Sequence, residues 1–72
     1  MTALLSLSRR LARLVRLREA AEPWRAYVDP ARIRLLERAI VATMGDLEDA
    51  GLSGVEIGRL VQDARAETGR RT

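Results

Sequence analysis

TALLSLSRRLARLVRLREAA, residues 2–21, decides the fold. On a helix of 3.6 residues per turn, Leu4, Leu7, Leu11, Leu14 and Val15 share one side. Arg9, Arg13 and Arg16 fall opposite, with Arg10 near their edge. The leucines alternate spacings of three and four, a coiled-coil-like seam about two heptads long and too short to stand as a free coiled coil. Leu5 and Leu17 lie off the seam and widen the apolar face, which predicts contact with more than one neighbouring helix. Thr2 is placed to cap the start. Glu22-Pro23 ends or bends the helix, because the proline ring crowds the preceding residue out of the helical region.

A second helix is predicted over 30–50. Asp29 suits the N-cap, and Pro30 suits the first helical position, where a missing N–H leaves no hydrogen bond unmade. Ile33, Leu36, Ile40, Met44 and Leu47 form its apolar stripe; Leu35 and Val41 fall outside it. Gly51 fits the left-handed position that closes a helix. The third helix, predicted over 53–68, has the strongest local signature. Ser53 and Glu56 make a capping box, and Leu52 with Ile57 a hydrophobic staple. Ile57, Leu60, Val61 and Ala64 supply its stripe, Gly69 is read as its stop, and residues 69–72 as a frayed basic tail. The short Gly51-Leu52 link demands a tight corner between the second and third helices. The connector from Pro23 to Asp29 carries Trp24 and Tyr27, the only aromatic residues. Two readings of that pair stand: a plug for the end of the core, or a binding hot spot. The expected architecture is an all-α, single three-helix domain that self-associates.

The totals narrow the function classes. A chain of 72 residues buries about 60% of its unfolded surface, and one core of this size gives only roughly 3–5 kcal/mol. Cysteine and histidine are absent, which removes disulfides, thiolate metal sites and the commonest general base. All 13 basic residues are arginine, which reads as the codon bias of a GC-rich bacterial or phage genome. Asp46, Glu48 and Asp49 splay over about 160° of a helix and read as a solvated face. No glycine-rich phosphate loop occurs. A non-enzymatic protein without cofactor, metal or evident small-molecule substrate is expected, and no catalytic residue is nominated. No apolar run reaches the roughly 18–20 residues of a membrane span, and arginines interrupt the first leucine stretch, so a cytoplasmic location is expected.

Charge is uneven. Residues 1–36 hold eight arginines against three acids, and residues 37–72 five against seven. That asymmetry suits either an anionic partner for the first half or neutralisation of one half by the other. The segment Leu47 to Val61 resembles a helix-turn-helix at its turn, with Gly51, Leu52, Ile57 and Leu60 in register. It departs at Leu47, where the motif needs a small residue, and at Asp46, where it needs an apolar one. Its third helix sets Glu56, Asp63 and Glu67 against Arg59 and Arg65, an acidic balance unsuited to a phosphate-lined groove. The leading expectation is therefore a helical protein–protein interaction or regulatory module, its partner being itself or another protein. Leu5, Leu17, Leu35 and Val41, apolar residues in excess of the stripes, are its interface candidates, together with Trp24 and Tyr27. The rival is a nucleic-acid-binding regulator using Arg9, Arg10, Arg13 and Arg16. A membrane-surface role for the basic first helix comes behind both.

Overall fold

The computed structural model describes residues 2–70, with side chains over residues 3–69. The order is α1 (Thr2–Ala21), a 3-10 helix (Glu22–Tyr27), α2 (Pro30–Asp49) and α3 (Gly54–Arg70). The protein is an all-α three-helix domain. Helix α1 begins at Thr2, whose expected capping side chain lies outside the described residues.

Local hydrogen bonds explain where α2 and α3 start and stop. The Asp29 carboxylate accepts from Ala31 N at 2.9 Å and caps α2 ahead of Pro30. At the far end Leu52 N donates to Leu47 O and Gly51 N to Glu48 O, each at 3.0 Å. These two bonds make a Schellman motif, and its left-handed residue is Gly51 at φ 109°. Ser53 Oγ then accepts from Glu56 N at 3.2 Å, and Glu56 Oε1 accepts from Ser53 N at 3.0 Å. Leu52 serves both neighbours, because it follows the closing glycine of α2 and precedes the cap of α3.

Helix α1 is the middle of the molecule. It packs along α2 and along α3, whereas α2 and α3 touch each other little. Arg18 of α1 reaches Glu37 of α2, and Arg16 reaches Glu67 of α3, so α2 runs antiparallel to α1 and α3 parallel to it. Leu11, Val15, Leu47, Ile57 and Ala64 form the buried cluster, with Leu7, Ile40, Met44, Leu52, Leu60 and Val61 packed around it. Leu11 and Leu47 are fully buried. Leu47, where a helix-turn-helix needs a small residue, is instead a fully buried leucine of the core. Thr43, unassigned by the periodicity, is buried as well; its hydroxyl is satisfied by Ala39 O at 2.7 Å.

Two local expectations are corrected. Gly69 does not stop α3, which continues to Arg70; a glycine ends a helix where it turns left-handed, and among the described residues Gly51 alone does so. Arg71 and Thr72, the rest of the expected frayed tail, lie outside the described residues. Nor do Trp24 and Tyr27 plug the core. A 3-10 helix eclipses residues three apart, so both rings stand on one side of the turn, and that side faces water. Trp24 is 62% exposed and Tyr27 85%. Ile33, from the first turns of α2, fills that end beside Arg25 and Pro30.

The body is flat and open. It measures 38 × 27 × 19 Å, and its radius of gyration of 12.6 Å exceeds the about 11 Å expected for this length. Its surface is 5409 Å², against about 4,450 Å² for a compact monomer of 8.0 kDa. The difference of roughly 1,000 Å² goes with this flat shape.

Candidate interaction surface

On the side of α1 facing α2 and away from α3, the two helices bound a groove with two connected parts. The apolar part encloses about 490 Å³ and is lined by Leu17, Ala21, Val28, Arg32, Leu35 and Leu36. Leu17 is 48% exposed and Leu35 62%. Leu17 also borders the second part, about 400 Å³, which includes Leu14, Ala42, Arg10, Arg13 and Asp46. The sequence sets this up simply. Leu17 sits off the α1 seam and Leu35 off the α2 stripe, and the antiparallel pairing brings both to the same face. Ala39 and Ala42 line the second part.

The other interface candidates lie elsewhere. Val41 is exposed on the far flank of α2, in a depression with Arg34, Glu37, Arg38 and Ala42. Leu5 is exposed near the other end of α1, three turns and about 18 Å from Leu17. Trp24 and Tyr27 pack on each other, with ring centroids 6.5 Å apart and planes tilted 55°, and neither lines either part of the groove. Leu17 and Leu35 are therefore the two candidates that converge. Periodicity marked all four surplus residues but not which pair would meet, because that depends on how α1 and α2 cross.

The arginines of α1 divide into two groups. Arg16 pairs with Glu67 at 3.7 Å, and Arg18 bridges Glu22 at 2.7 Å and Glu37 at 3.2 Å. Arg65 of α3 completes the pattern with Glu19 at 3.5 Å. Basic and acidic halves thus meet within one chain. The Arg18 guanidinium holds the Glu22 carboxyl below the usual range, and its own pKa is raised by that hydrogen bond. Most of these side chains are solvated, so each pair is worth little for stability and more for register. Arg9, Arg10 and Arg13 make no ion pair among the described residues, although Asp46 borders the same hollow as Arg10 and Arg13.

Among the described residues, no group of acids, histidines or cysteines is arranged to hold a metal ion, and no helix is long and apolar enough to cross a membrane. No protein-family model, no curated protein and no solved structure matches this chain.

Proposed function

We propose that this protein is a small helical interaction module that receives a helix of a partner protein in the groove between α1 and α2. The observation that carries the reading is the convergence of Leu17 and Leu35, both about half exposed or more, on one apolar hollow of a body with surface to spare. Such a hollow, rimmed by charged side chains, is the form a helix-packing site takes. Neither leucine belongs to the buried cluster, so neither is needed to hold the three helices together.

Leu17→Arg and Leu35→Arg test this. At high dilution each variant keeps its helicity, with stability within about 0.5 kcal/mol of the parent, as for other surface changes. The parent binds the apolar dye anilinonaphthalene sulfonate, and each variant loses most of that fluorescence. A variant that unfolds would assign the leucines to the fold, and a parent that binds no dye would remove the site.

A second reading rests on three neighbouring arginines of α1 that make no ion pair among the described residues. Arg9, Arg10 and Arg13 are exposed midway along α1 and suited to a phosphate backbone. It predicts duplex binding that falls steeply with salt and disappears in Arg9→Glu/Arg13→Glu. Asp46, beside two of these arginines, weighs against it.

A further inference from the structure

We infer that the occupant of the α1–α2 groove is a second copy of this chain, related by a two-fold axis parallel to the helices; this rests on the groove being an interaction site. Area is the first ground. A standard interface removes about 800 Å² from each partner, and this flat monomer, with Leu17 and Leu35 exposed, carries more surface than a compact chain of its mass.

Charge is the second. Because α1 and α2 are antiparallel, Arg10 and Arg13 from the middle of α1 come beside Asp46 in the last turn of α2. Arg10, Arg13 and Asp46 border one hollow, yet none of them is in an ion pair among the described residues. A two-fold along the helix direction lays α1 of one copy against α2 of the other with like ends together. Arg10 and Arg13 then face the other copy's Asp46, and symmetry makes the contact twice. Leu17 meets Leu35 across the same axis in both directions. The four helices alternate in direction around a shared core, as in an antiparallel four-helix bundle, with each α3 on an outer flank. The other face-to-face two-fold, across the helices, would lay α1 on its own copy and set arginines against arginines, which like-charge repulsion disfavours.

The test is sedimentation equilibrium of the full chain, with circular dichroism to show that each variant is folded. The parent dimerises in the micromolar range. Leu35→Arg weakens the dimer by about thirty-fold or more, as loss of an interface anchor does. Arg10→Glu/Arg13→Glu and Asp46→Arg each weaken it by about ten-fold. An equimolar mixture of those two charge variants recovers a heterodimer near parental strength, because each basic α1 or acidic α2 again meets its complement in the other chain. A parent that stays monomeric at high micromolar concentration overturns the inference, while dye binding lost in Leu35→Arg leaves the groove itself standing. A dimer broken by Leu35→Arg but indifferent to both charge variants, or a mixture that fails to recover, overturns the two-fold arrangement.

Discussion

Gly51 is the residue whose replacement is easiest to interpret. Its φ of 109° lies where an L side chain is strained, yet a methyl group there would meet nothing within 4 Å. Any loss in Gly51→Ala is therefore conformational and not steric. About 1–2 kcal/mol is expected, which for a domain this small moves the melting temperature down by roughly 4–15 °C. Thermal unfolding followed by circular dichroism reads it directly. This position was legible because a closing glycine acts through hydrogen bonds to residues three to five positions away. Asp29, Ser53 and Glu56 were legible for the same reason. The Arg16–Glu67 pair was not, since those residues stand far apart in the chain and meet only once α3 docks on α1. The outward stance of Trp24 and Tyr27 was equally hidden; nothing local distinguishes an aromatic that covers a core end from one that turns to water.

At the scale of an element, α3 carries a measurable pH signature in its first turn. The Glu56 carboxyl is held below its ordinary value, first by the Ser53 backbone N–H and then by the Ser53 hydroxyl. The unfolded chain binds this proton more readily than the folded one. The contribution to stability is thus complete above the ordinary carboxylate value of about 4.3. It is lost as pH falls from there through the depressed folded value. Glu56→Gln keeps an oxygen to accept from Ser53 N but has no proton to gain. Its stability should therefore fall less between neutral pH and pH about 3 than the parent's. Urea unfolding at a series of pH values checks this, and parallel curves would refute the assignment. The apolar stripes of the three helices were largely readable from spacing, although Leu4 of the α1 seam is exposed and Thr43, outside the stripe, is buried. The shared groove was not, because a helical wheel fixes directions around one axis and says nothing of how two axes cross.

At the scale of the whole molecule, the central place of α1 sets the energetics. Helices α2 and α3 have little contact of their own, so nearly every buried apolar side chain touches α1 or lies beside one that does. A fragment of residues 22–72 loses Leu11 and Val15 from the cluster. Each such side chain contributes about 1.5–3 kcal/mol, and the whole core supplies only roughly 3–5. The fragment should be largely unstructured by circular dichroism, and adding a peptide of residues 2–21 should restore part of its helicity. A fragment that is helical and cooperative by itself would show that α2 and α3 hold each other.

The chain order places that central helix ahead of both helices that pack on it. During synthesis α1 emerges with its leucines facing water, and both of its companions come later. At about 5–20 residues per second, several seconds separate its appearance from the completion of α3. For that interval the side of α1 that α3 covers stands without α3, even once α2 has docked.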